Sequence, residues 1–280
     1  MTWIVGARVR HTVRPEWGQG VILEVGPGDR LKVHFANAGE NVLTARFLVP
    51  VTGAQATKPI FVPRVGTRKA AVPRANIEDY KKAFLEQFPK GFRDPAFRDQ
   101  ERAYKLEARD LLVTSLSAKE FRALEKSGDH SAVCKLARAV ISKTNLVFSH
   151  EQMKLSNGLK GAEAQQHFSA SLYMLLHGDT PFEERFTGFA DVLSEIGAAK
   201  WTIATYFPFL MMPEEQFFLK PNMAKLMADV CRVELNYRPE PNWLTYKCLL
   251  RLAAQLFEEL KDLKPKDMID VQSFMWCVAR

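Results

Sequence analysis

The hydrophobic period of this chain changes once, and that change constrains the fold more than any single motif. From Arg8 to Val51 the inward-turning residues recur at every second position: Val9, His11 and Val13, then Val21, Leu23 and Val25, then Leu31, Val33 and Phe35. Period two marks short strands. "GPGD" at 26–29 and "ANAGEN" at 36–41 supply Gly and Asn where tight turns need positive φ. About five strands in so short a segment predict a small closed or nearly closed barrel, because closure hides edges that a short open sheet exposes.

Past Asn76 the spacing becomes helical. Asp94 followed by Pro95 reads as a cap with a first-turn proline, and "SAKE" at 117–120, "SHEQ" at 149–152 and "TPFE" at 180–183 have the capping-box form. Apolar residues then return three and four apart, as in Phe182, Phe186, Phe189, Val192, Leu193 and Ile196. Roughly eight to ten helices are expected, with no internal repeat. Between the two regimes, residues 52–76 carry Pro59, Pro63 and Pro73 with five basic residues and no acid. A stiff, extended connector follows from that composition. The chain is therefore expected to be α+β, with a strand domain at 1–51, a basic linker at 52–76 and a mainly helical domain at 77–280.

Charge separates the same regions. The net charge is +7; residues 1–76 contain eleven Lys/Arg and four acids, and the remainder balances. A local excess of this kind points to an acidic partner, either nucleic acid or an acidic protein face. If Val9, His11 and Val13 turn inward, Arg8, Arg10, Thr12 and Arg14 turn outward as a ridge that Arg30 and Lys32 extend from the next hairpin. Trp17, in "RPEWGQG", stands at the adjacent turn and offers a flat apolar surface to a base or a partner's pocket. The plainer alternative makes these arginines solvated and Trp17 a plug for the barrel mouth. Lys58, Arg64, Arg68, Lys69 and Arg74 are spaced so that they can follow a phosphate backbone, or simply keep a connector solvated.

Several chemistries lack their residues. The cysteines Cys134, Cys231, Cys248 and Cys277 stand singly and read as reduced core residues, and no His pair has metal-ligand spacing. Neither a G-x-S-x-G elbow nor a phosphate-binding G-x-x-x-x-G-K-S/T loop occurs, so no catalytic residue, metal or cofactor is implied. Glu258, Glu259 and Lys261 lie in a periodic helix and read as a solvated face. "WTIATYFPFLMM" at 201–212 is too short to span a bilayer. It reads as core whose helices Pro208 and Pro213 break, or less simply as a pocket of Trp201, Tyr206, Tyr237 and Trp243 anchored by Arg238 and Lys220. No secretory leader is visible at the start, and a cytosolic protein without a membrane partner is expected.

Residues 9–51 carry "H-x-x-x-P-E-W-G-x-G-x-V/I" and then "V-x-F-x-x-A-G". This stretch resembles the Tudor-like (SH3-like) small barrel at the C-terminus of bacterial UvrD-type DNA helicases and, more loosely, the barrels of transcription-repair and CarD-type factors that contact RNA polymerase. The resemblance implies a non-catalytic adaptor that contacts RNA polymerase or nucleic acid in transcription or DNA repair, while residues 77–280 resemble an uncharacterised bacterial domain. With the ridge read from alternation, binding is expected on Arg8, Arg10, Arg14, Trp17, Arg30 and Lys32, and a second partner on the helical domain. The rival expectation is a nucleic-acid-processing or phage-defence enzyme whose active site lies among the helices.

Overall fold

The structure, a computed structural model, describes residues 3–35, 39–51 and 76–279. The chain divides into two compact units, Met1–Pro73 and Arg74–Arg280. Strands occupy the first and helices the second, an α+β arrangement. The connector cations Lys58, Arg64, Arg68, Lys69 and Arg74 lie outside the described residues.

In the first unit β1 (Arg8–His11), β2 (Gln19–Val25), β3 (Arg30–Phe35), β4 (Gly39–Thr44) and β5 (Leu48–Pro50) form one antiparallel sheet in the order β4-β3-β2-β1-β5. Four strands meander and the fifth returns to the free edge of the first, with His11 opposite Leu48 and Val9 opposite Pro50. Val9, Ile22, Leu31, Val33, Phe35 and Leu48 form the core. The alternation reads correctly on β3. On β1 it stops early, because the strand ends at His11 and Val13 is 69% exposed.

On β2 the expected alternation is only partly met: Val21 and Leu23 are buried, but so is Ile22, and Val25 comes opposite the core residue Leu31 only beyond a bulge. Gly20 faces Val9 and Phe35 in register, Ile22 faces Val33, and a bulge follows between Ile22 and Glu24. The inward set therefore begins at a residue with no side chain, which a hydrophobic pattern does not register. Glycine is required there: a Cβ on Gly20 would lie 2.7 Å from Val33 Cγ1 and 2.8 Å from Phe35 Cδ1. Gly28 and Asp29, with φ of 67° and 57°, turn the β2–β3 hairpin, and the Gly26 N–H donates to the Arg30 carbonyl at 2.8 Å to close it.

The second unit opens at α1 (Ile77–Gln87), where the Asn76 side chain accepts the Asp79 N–H and Asp79 accepts the Asn76 N–H, a reciprocal cap. A three-residue α2 (Pro95–Phe97) passes through a π-turn at Arg98–Arg102 into α3 (Ala103–Ser115). Next come α4 (Ala118–Ser127), α5 (His130–Ser142), α6 (Ser149–Gly158), α7 (Ala162–His177) and α8 (Phe182–Glu195). The unit closes with α9 (Trp201–Met211), α10 (Pro221–Cys231), α11 (Trp243–Glu259) and α12 (Met268–Val278). Among the described residues twelve helical segments stand where eight to ten were expected, because the breaks are short. Leu116 and Ser117 alone part α3 from α4, and Gly128 (φ 72°) with Asp129 parts α4 from α5.

Pro208 does not break a helix; it lies inside α9, whose residues from Trp201 to Leu210 are all buried. A proline there removes one donor and costs about 3 kcal/mol of helix propensity, but burial of ten consecutive side chains outweighs it. Trp201 and Tyr206 are core rather than pocket walls: the indole donates to the Arg238 carbonyl at 2.8 Å and the phenol to the Val140 carbonyl at 2.9 Å. Lys220 lies elsewhere, its ammonium 4.5 Å from the Phe148 ring and 4.2 Å from the Trp276 ring. Glu258 pairs with Lys261 on an exposed helix end. No helix among the described residues is long and apolar enough to cross a membrane.

Candidate functional site

Directly opposed residues of an antiparallel sheet share a face, so register sorts the sequence-nominated cations. Arg8 stands opposite Val21, Arg10 opposite Gln19 and Val49, Lys32 opposite Glu24 and Val42, and Arg30 opposite Thr44. All four basic residues fall on the face turned away from Val9, Ile22, Val33 and Phe35. Val42 and Val49 share that face and are 63% and 45% exposed. The face is therefore mixed, cation beside valine, and Glu24 sits across from Lys32. None of Arg8, Arg10, Arg14 and Lys32 is a free cation, for each already has an interaction within the chain.

Arg14 does not share the β1 face, because the strand has ended. The His11 ring Nδ1 accepts the N–H groups of both Val13 and Arg14 at 3.1 Å, which turns the chain sharply after β1. A 3-10 turn at Pro15–Trp17 follows, and Gly18 with φ 75° directs the chain into β2. Trp17 is left half-buried over the end of the sheet core, edge-on to His11 at 4.9 Å and to Phe35 at 5.2 Å. Both readings of this tryptophan thus share one geometry: its inner edge packs on the core, and the Arg14 guanidinium stands 5.6 Å from its ring centroid. Phe47 stacks on His11 at 5.7 Å, and Arg46 covers Phe47 at 4.7 Å. His11, Arg46, Phe47, Val42 and Val49 were not legible as site residues. Arg46 and Phe47 belong to a short 3-10 turn at Ala45–Phe47 that no periodicity marks.

The helical unit holds one concentrated polar seam. The π-turn brings Arg102 against α12, where its guanidinium donates to both oxygens of Asp267 at 2.8 and 2.6 Å and to Asp270 at 2.7 Å. Burial works against the guanidinium, but the hydrogen bonds and charges of the two carboxylates hold its pKa above the ordinary value. One turn on, Lys105 Nζ donates to Ser273 Oγ at 2.6 Å, and that hydroxyl donates to the Ile269 carbonyl at 2.7 Å. Burial pulls the Lys105 ammonium down to about 8, against the nearby Glu101, Cys277 and Asp270, which raise it. A lysine–serine pair has the elements of a nucleophile with its base. Both side chains have zero exposure. They lie within the seam that joins α12 to α3.

Clefts on the surface of this unit include one of about 350 Å³ beside α1, bordered by Glu78, Lys81, Leu85 and Asp262. Another, of about 410 Å³, lies between α7 and α8 over Met174, Gly188, Phe189 and Val192, with Arg185 and Glu184 at its rim. A third, of about 340 Å³, lies between α5 and α6 and is bordered by Lys135, Arg138, Ser142, Gln152 and Ser156. Among the described residues no group of three or more His, Cys, Asp or Glu is placed to hold a metal ion. The four cysteines are unbridged, and burial pushes the Cys134 thiol up to about 12.

This geometry defines a small antiparallel sheet with one aromatic corner and a mixed cation–valine face, followed by a helical unit. Residues 5–49 match a family described as "Protein of unknown function (DUF3553)". The match spans the sheet from the approach to β1 into β5 and contains both the Trp17 corner and the outer-face cations. No curated protein and no solved structure matches the chain.

Proposed function

We propose that this chain is an adaptor of transcription or DNA repair, in which residues 1–51 form a Tudor-like (SH3-like) barrel that docks on RNA polymerase and the helical unit holds a second partner. The observation that carries the reading is the composition of the outer sheet face, where Arg10 stands beside Val49 and Lys32 beside Val42. Exposed apolar side chains interleaved with cations suit an acidic, partly apolar protein surface. A bare phosphate backbone uses the cations and leaves the valines in water. The Trp17 corner adds an aromatic anchor flanked by Arg14, of the type that concentrates interface energy. The resemblance of residues 9–51 to polymerase-contacting barrels supports the same partner.

The test is titration of purified RNA polymerase against the full chain. Val42→Asp/Val49→Asp should weaken binding more than tenfold, mainly by faster dissociation, and Arg30→Glu should slow association in a salt-dependent way. Equal affinity for wild type and the double valine variant, with each protein's melting temperature unchanged, would remove the docking face. Tight binding to duplex DNA that depends on Arg10 and Arg30 but not on the valines would transfer the face to the nucleic-acid reading.

A further inference from the structure

On the reading that the helical unit holds a second partner, we propose that the groove between α7 and α8 docks a basic amphipathic helix of that partner. The two helices run antiparallel. His167 Nδ1 near the start of α7 lies 3.7 Å from the Glu195 carboxylate at the end of α8, and Arg185 near the start of α8 donates to the Leu175 carbonyl near the end of α7 at 3.1 Å. The cleft of about 410 Å³ runs between these two contacts.

Its floor is apolar. Ala170 and Met174 come from α7, and Gly188, Phe189 and Val192 from α8. Met174 is 40% exposed, a soft side chain of the kind that suits adaptable binding surfaces. Gly188 keeps the wall open, for a Cβ placed on it would meet no described atom within 4 Å. A glycine inside a helix weakens that helix, and no close approach requires this one. His167 to Met174 covers seven residues, about 10 Å of helix axis. Anchors at i, i+3 or i+4 and i+7 of a docked helix span the same length.

The rim supplies the sign of the partner's charge. Residues 162–195 contain six acids, Glu163, Asp179, Glu183, Glu184, Asp191 and Glu195, and a single Lys/Arg, Arg185, although the helical region as a whole balances. All six acids are exposed, and among the described residues none is paired with a lysine or arginine. At 3.6 residues per turn, Glu184, Asp191 and Glu195 fall within about 40° of one another on α8, beside Gly188. Glu163 continues the α7 stripe one turn before His167. Arg185 is engaged at the loop end, where its guanidinium meets the Leu175 carbonyl and lies 5.0 Å over the Phe182 ring. An apolar floor between acidic rims fits a helix whose apolar stripe enters the groove and whose flanking lysines or arginines meet the carboxylates. Nucleic acid and acidic amphiphiles meet the same rims as repulsion.

Fluorescence anisotropy of the full chain with a labelled, designed amphipathic helix of leucine and lysine, about 18 residues or five turns long, tests this. A scrambled peptide of the same composition and a leucine–glutamate helix are the comparators. The leucine–lysine helix should bind about tenfold tighter than either, or better. Gly188→Leu, which fills the groove, should weaken it about tenfold with its salt dependence unchanged. Glu184→Gln/Asp191→Gln should weaken it and flatten its salt dependence; these exposed changes serve if Gly188→Leu melts early. Val42→Asp/Val49→Asp should leave peptide binding intact, which separates failure of the groove from failure of the sheet to dock on polymerase. Equal binding of either comparator, or wild-type affinity in both groove variants, would overturn the proposal. So would displacement of the peptide by dodecyltrimethylammonium at equal concentration, which would show a site for small cationic amphiphiles.

Discussion

At the scale of single residues, the W-G-x-G motif has a steric meaning that its sequence does not display. Gly18 supplies a positive φ after Trp17, and Gly20 vacates the space that Val33 and Phe35 fill. Gly20→Ala should therefore destabilise the sheet by about 1–3 kcal/mol through overpacking, read as lost amide protection in β2 and β3. Wild-type protection would mean that Phe35 has room to move. Lys105 carries a pH prediction. Its folded pKa of about 8 lies below the ordinary 10.5, so the unfolded chain binds this proton more tightly than the folded one. The cost of holding Lys105 charged is fully present below pH 8 and fades as pH rises from 8 to 10.5. Across that window wild type should gain stability relative to Lys105→Met, measured by denaturant midpoint. A constant difference would show that the ammonium is solvated. Arg102→Ala strands Asp270, which is 1% exposed, and should cost about 3–5 kcal/mol.

At the scale of elements, local caps were legible in part: Asp94 and Ser117 cap their helices, whereas α6 is capped at Phe148 rather than Ser149 and α8 follows Pro181 with no side-chain cap from Thr180. Asp94–Pro95 was readable because the cap is local: the carboxylate accepts the Ala96 N–H at 3.0 Å and the Lys90 N–H at 3.2 Å. Asp94→Ala should cost about 1 kcal/mol in thermal unfolding, and no loss would mean that the packing of Phe97 alone fixes this turn. Signals that depend on distant packing failed. The course of α9 through Pro208 is set by burial on every side, which sequence spacing does not encode. The parity of β2 is set by a glycine and a bulge, and both are silent in a hydrophobic pattern. The α3–α12 seam joins residues about 165 positions apart, Arg102 to Asp267 and Asp270, so nothing local announces it. The Asp267 and Asp270 pair in "DMIDVQSFMW" shows only as two acids one helical turn apart.

At the scale of the whole molecule, the change of period near residue 76 located the passage from strands to helices because it reflects two kinds of core. The six-residue core of the sheet shares no member with the large core of the helical unit. Residues 77–280 alone should therefore melt cooperatively, near the temperature of the corresponding transition in the full chain. A broad transition with exposed apolar surface would show that the two units stabilise one another. The location of positive charge was only half legible. A sum over the helical region balances and hides the run at 131–160, which carries five cations and one acid. The claim on which the account turns is that the outer sheet face docks directly on RNA polymerase. Affinity capture from a nuclease-treated bacterial lysate with the full chain, beside Val42→Asp/Val49→Asp, tests it most directly. The account predicts that polymerase subunits are retained by wild type after nuclease and lost by the variant. Capture that vanishes with nuclease, or that the variant leaves unchanged, would contradict it.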